Sequence, residues 1–140
     1  MPPILISQAD LESFGKTWIE NGKNLSRSAP NSSSQLGNLF DVAVGNALAV
    51  MLGGIKIVKP SATALTVADE CVEVGPVRII GGVRPQNFDV GYRPDGVRFA
   101  FDSKTLNGSS SFRKNWQNMI NDLATEATTV HSRFPHAVAE

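Results

Sequence analysis

Apolar residues recur at helical spacing in three stretches of this chain, and between the second and third the spacing changes to every other residue. Over Gln8 to Gly22, Leu11, Phe14, Trp18 and Ile19 fall on one side of a short amphipathic helix, with Asp10 placed to cap it. The run "KNLSRSAPNSSS" that follows is rich in Ser, Asn and Pro and reads as a loop. From Ser34 a longer helix places Leu36, Leu39, Phe40, Ala43, Ala47, Leu48 and Met51 on one face, and Gly53-Gly54 ends it. Short runs of period two come next: "IKIV", "ALTVA", "CVEV", "VRIIGGV", "FDVGYR" and "VRFAFDSK", separated by Pro, Gly, Asp and Asn, which predicts a meander of antiparallel strands. Arg93-Pro94-Asp95-Gly96 carries proline and glycine where a tight turn needs them and closes a hairpin. A third helix spans about Phe112 to Ser132 with Trp116, Met119, Ile120, Leu123 and Ala127 as its buried face. The final "HAVAE" begins a strand, an unpaired apolar edge that marks the 140 residues as a fragment of a longer product.

The pattern therefore predicts an α/β protein of the α+β kind, with a mixed sheet flanked by helices. Residues 1–33 hold the first helix and the Ser-rich loop, and residues 34–140 hold the core. At 140 residues with 41% hydrophobic content the chain suffices for one core and little more. No apolar run approaches the roughly 20 residues that span a bilayer, so membrane insertion is not expected. The first residues, "MPPILIS", have no basic flank or cleavage site, so the expected address is the cytoplasm. The single cysteine, Cys71, excludes an intramolecular disulfide and a Cys-rich zinc site, and its strand-like neighbours suit a small core residue. Net charge is zero, yet Arg78 to Lys114 holds seven basic residues against three acidic ones. That local excess fits phosphate contacts or charge-protected strand edges equally well.

Candidate chemistry lies where the last strand ends. Asp102 and Lys104 are two residues apart and share a side of the strand with Ala100, opposite Phe99 and Phe101. Asp89 lies on the partner strand across the turn. A two-residue loop pairing Arg93 with Gly96 sets Asp89 against Ala100 and on the side of Asp102, whereas a glycine bulge moves the register by one residue and reverses the side. Two carboxylates brought close raise each other's pKa unless a cation lies between them, and oxygen ligands with waters to spare suit Mg²⁺. A lysine beside that metal can orient or deprotonate water, so metal-assisted phosphodiester hydrolysis uses every part. The spacing equally allows a plain Asp102–Lys104 salt bridge with Asp89 as an incidental strand residue.

Asp89, twelve intervening residues, then Asp102-Ser103-Lys104 resembles the PD-(D/E)xK nuclease motif of restriction endonucleases and related DNA-processing enzymes. "LGNLFDVAVGNAL" resembles that family's first core helix, with Gly37, Phe40 and Asp41 in the places of its Gly-x-x-Phe-Glu. Phe88 stands where the family has proline, and Asp41 where it has the longer glutamate. The resemblance runs from about Ser34 to the C-terminus and implies a restriction endonuclease-like αβββαβ core. It further implies a type II restriction enzyme that cuts double-stranded DNA, as a homodimer in many family members, leaving a 5′-phosphate and a 3′-hydroxyl. The implied cofactor is Mg²⁺, with Mn²⁺ as a substitute. Asp89 and Asp102 are then the metal ligands, Lys104 the residue at the water, and Asp41 a further acid. Arg113, Lys114, Asn115 and Gln117, at the start of the third helix, are the DNA-binding candidates. Two alternatives stay open: a DNA-binding module of this fold that does not cut, and a repair or junction nuclease that reads DNA structure.

Overall fold

The computed structural model describes residues 2–23, 35–61, 70–105 and 112–140, with the side chains of 112–114 excepted. The predicted strand "ALTVA" and the serines 109–111 lie outside the described residues. Helix α1 is Gln8–Glu20 and α2 is Gln35–Met51; strands β1 (Lys56–Val58), β2 (Cys71–Ile80), β3 (Pro85–Tyr92) and β4 (Phe99–Phe101) follow, then α3 (Phe112–His131) and β5 (Val138–Ala139). The strands form one five-stranded sheet in the order β1-β2-β3-β4-β5, giving the mixed α+β architecture that the pattern predicts. The meander is antiparallel only in its middle: β2, β3 and β4 pair antiparallel, while β1 joins β2 and β5 joins β4 in parallel. The segments "CVEV" and "VRIIGGV" prove to be parts of one strand, β2, whose register shifts between Val74 and Val77, where Gly75 takes a φ of 127°.

Two apolar clusters hold the helices to the sheet. Leu48 and Ala49 of α2 pack with Val72 and Val90, alongside Phe99 and Phe101. Val130 of α3 packs with Val77, Ile79, Phe88 and Ala100. The alternation along β4 thus sends its phenylalanines to α2 and Ala100 to α3, as period two requires. Cys71 is buried, as expected of a core residue.

The helices turn different faces to the sheet than their large apolar residues predict. The buried residues of α2 are Gly37, Asp41, Ala43, Gly45, Leu48 and Ala49, whereas Phe40 and Met51 are exposed. Close approach is the reason: a Cβ on Gly45 would lie 2.4 Å from Val74 Cγ2. Where the sheet comes so near, only small side chains fit beneath the helix. On α3 the expected face is exposed at Trp116, Ile120 and Leu123 and half-buried at Met119 and Ala127, while Glu126, Thr129 and Val130 are buried. Helix α1 has no buried residue, and Ser7, not Asp10, occupies its N-cap position. Gly53 and Gly54 do end α2, with φ of 93° and 80° and a bond from Gly54 N–H to the Ala49 carbonyl.

Candidate active site

The register of β3 on β4 decides which side chains meet. Val90 pairs with Phe101, Gly91 with Ala100 and Tyr92 with Phe99, so Asp89 comes level with Asp102 one step beyond the last pair. The two-residue loop is corrected to a wider one: Arg98 N–H donates to the Tyr92 carbonyl across the turn. Widening moves the pairing by two residues, an even number, so Asp89 and Asp102 keep a common side as the two-residue loop predicts.

Past Phe101 the strand ends, and the side chains of Ser103 and Lys104 reach two different elements. Ser103 donates its backbone N–H (2.9 Å) and its hydroxyl (3.1 Å) to Asp89 Oδ2, tying the strand end to β3. Lys104 Nζ donates to Asp102 Oδ2 and, at 2.8 Å, to Oε1 of Glu126 on α3. From the opposite helix, Asp41 of α2 is 7% exposed and its Oδ1 has no hydrogen-bond partner among the described residues. The site is a polar seam between two helices, with α2 supplying Asp41, α3 supplying Glu126, and Asp89, Asp102 and Lys104 between them.

Burial and crowding both push the Asp41 and Asp102 carboxyls toward the protonated form. Burial pushes Asp41 up to about 6, against the Ser103 hydroxyl, and the charge of Asp89 adds to the rise. Asp102 is pushed up to about 7 by burial; the Lys104 hydrogen bond opposes this, and the Asp89 carboxylate reinforces it. Burial alone would lower the Lys104 ammonium, but its hydrogen bonds to Asp102 and Glu126 outweigh that and raise it.

Among the described residues no group of three or more His, Cys, Asp or Glu side chains is placed to hold a metal ion by itself. The donors present still fit Mg²⁺, which keeps several waters and takes one or two protein carboxylates together with substrate phosphate. Asp89 and Asp102 supply such a pair, and the unpartnered buried oxygen of Asp41 is the mark of a place where a cation or an ordered water is wanted.

The remaining sequence candidates stand apart. Asn115 and Gln117 are exposed near the start of α3 and make no hydrogen bond to the cluster, and the side chains of Arg113 and Lys114 lie outside the described residues. Two arginines of the basic excess are engaged elsewhere. Arg93, 6% exposed, grips both oxygens of Glu73 at 2.6 and 2.8 Å, and Arg98 pairs with Asp95 at the exposed turn. Glu126 escaped the sequence reading: it lies 22 residues beyond Lys104, between Thr125 and Ala127, and its burial marks it.

Fold and site together define a mixed α+β protein with a carboxylate–lysine cluster at the end of its central hairpin. Comparison with family models, with curated proteins and with solved structures finds no match for this chain.

Proposed function

We propose that this chain is a Mg²⁺-dependent endodeoxyribonuclease that hydrolyses phosphodiester bonds of double-stranded DNA, a type II restriction enzyme being the form its PD-(D/E)xK-like motif favours. One observation carries the reading: Asp89 and Asp102 stand level on neighbouring strands, with the amine of Lys104 against Asp102. An isolated salt bridge accounts for Asp102 and Lys104 alone. It leaves unexplained a second carboxylate held beside Asp102 by two hydrogen bonds, and a third, Asp41, buried next to them. From α2 onward the chain contains the helix, three antiparallel strands, helix and strand parallel to β4 expected of such a core, with the short strand β1, parallel to β2, added between α2 and β2.

In this mechanism Asp89 and Asp102 hold the metal, and Ser103 fixes the Asp89 carboxylate in place. Mg²⁺ held by these two carboxylates would supply Lewis-acid stabilisation of phosphoryl charge and activate water. Lys104 orients the attacking water and offsets the negative charge that grows on the phosphoryl group. Asp41 adds a carboxylate oxygen on the α2 side that accepts a proton or a water hydrogen bond. Cutting both strands of a duplex with one such site per chain calls for two copies, hence a homodimer, acting in the cytoplasm.

A DNA-binding module of this fold that does not cut is the second reading. Incubating mixed plasmid and phage DNA with the protein and Mg²⁺ or Mn²⁺ separates the two. Discrete fragments from wild type, lost by at least about a hundredfold in D102A and in K104A, are expected for catalytic groups of this kind. Undiminished cutting by either variant sinks the site assignment, and DNA binding without cutting by wild type moves the reading to the second class. Flap and junction substrates cut in preference to plain duplex would indicate a structure-specific nuclease instead.

A further inference from the structure

We propose that Glu126 is a positioning residue: it receives the Lys104 ammonium when a divalent cation takes Asp102, and so keeps the amine inside the site. The inference rests on the nuclease reading of the Asp89 and Asp102 pair. Its basis is the geometry at Lys104 Nζ, which touches two carboxylates at once, Asp102 Oδ2 from the strand end and Glu126 Oε1 at 2.8 Å from α3. A divalent cation bound by Asp102 competes for the oxygen that now accepts from the amine, and it repels the ammonium. With no other anion near, Lys104 would swing out toward water, and the group meant to act on the attacking water would be lost.

Glu126 is built to prevent that. It is 5% exposed, and Lys104 supplies the one ion pair it makes among the described residues. A buried carboxylate is expensive to keep without a function, and a helix position facing the sheet would ordinarily be apolar. Its second oxygen, Oε2, is buried with no partner among the described residues, so it can accept a further hydrogen bond from an ammonium that moves toward it. The cation and the amine then each have a carboxylate: Asp102 serves the metal, Glu126 serves Lys104.

The coupling is measurable without DNA. Isothermal titration of the full chain with Mg²⁺ is compared for wild type, E126Q, K104M and the E126Q/K104M double variant, each checked for folding by circular dichroism. Glutamine keeps the size and an acceptor but drops the charge. E126Q is expected to bind Mg²⁺ about tenfold more weakly, because the displaced ammonium has lost its charged partner. K104M is expected to bind at least as tightly as wild type, its competitor being gone. In the K104M background E126Q is expected to change affinity by less than about twofold. An affinity of E126Q equal to wild type overturns the inference, as does an equal loss with and without Lys104, which would mean a direct effect of the Glu126 charge. Should E126Q not fold, E126D carries the same comparison with an expected loss of about threefold. Cleavage assayed alongside keeps the two ideas apart. Wild type that binds Mg²⁺ with this coupling yet cuts no DNA retires the nuclease reading alone; intact cutting with no coupling retires the role of Glu126 alone. Wild type that does not bind Mg²⁺ retires both.

Discussion

Ser103 does more for the site than its place between an acid and a lysine suggests. Its N–H and hydroxyl both fix Asp89, and it stands against the first turn of α2, where a Cβ on Gly37 would lie 3.2 Å from its Oγ. Gly37→Ala is therefore expected to leave the melting temperature nearly unchanged, since alanine favours the helix, while moving Ser103 by a few tenths of an ångström. Because misplacement near reacting groups is costly, cleavage should fall about tenfold in single-turnover assays. A second expectation concerns pH. Asp41 and Asp102 have folded-state pKa values of about 6 and about 7 against 3.8 for an unburied aspartate, so the folded state holds their protons more tightly than the unfolded one. Their contribution to stability is full below 3.8 and is lost as pH rises through about 6 and about 7. Thermal melts of the metal-free protein should fall from pH 5 to pH 8, with Asp102→Asn removing much of the decline. Mg²⁺ should raise the melting temperature at pH 8 and hardly at pH 5, where the carboxyls carry protons.

The elements are held by contacts that invert the usual weighting of large apolar residues. Gly45 lets α2 settle on β2, and Gly45→Ala places a methyl group 2.4 Å from the branched Val74 side chain. Such overpacking costs about 1–3 kcal/mol, of which the better helix propensity of alanine returns up to about 1, so urea unfolding should reveal a net loss. The Arg93–Glu73 pair has the same structural standing. Arg93 also donates to the Arg78 carbonyl at 2.7 Å, so one guanidinium joins the hairpin turn to two places on β2. Glu73→Ala should cost about 3–5 kcal/mol because it strands a buried cation, while Glu73→Leu with Arg93→Met should cost far less. Equal losses in the two variants would mean that packing, and not charge, is what matters there.

For the whole molecule the electrostatics set an upper limit on DNA binding. Net charge is zero, Arg93 is tied to Glu73 in the interior, and Arg98 is tied to Asp95 at the turn. Beside these two and Lys104, the segment from Arg78 to Lys114 has four cations, Arg78, Arg84, Arg113 and Lys114, so if that segment alone carries duplex DNA the slope of log K against log salt should be no steeper than about −4, corresponding to about four or five neutralised phosphates. A slope near −8 in a filter-binding titration would mean that a surface other than the one described carries the DNA. No helix among the described residues is long and apolar enough to cross a membrane.

Period-two alternation and a turn signature offered Asp89, Asp102 and Lys104 a common side of a hairpin but left a one-residue bulge, which would reverse it, open; the register moved by two residues, which preserves the side. Helix stops at Gly53 and Gly54 were legible because backbone conformation there depends on glycine itself. The faces of α2 and α3 were not legible. Which side of a helix is buried depends on how near the sheet lies, and that distance is set by Gly37, Gly45 and their partners on other elements. Glu126 was equally out of reach, since a glutamate on a polar stretch of helix reads as solvated until packing closes over it. Local chemistry along the chain thus determined the strands, the turn and three of the site's groups. Only the tertiary structure could decide the register, the burial of Asp41 and the contact of α3 with Lys104, because each is settled by contacts between residues far apart in the chain.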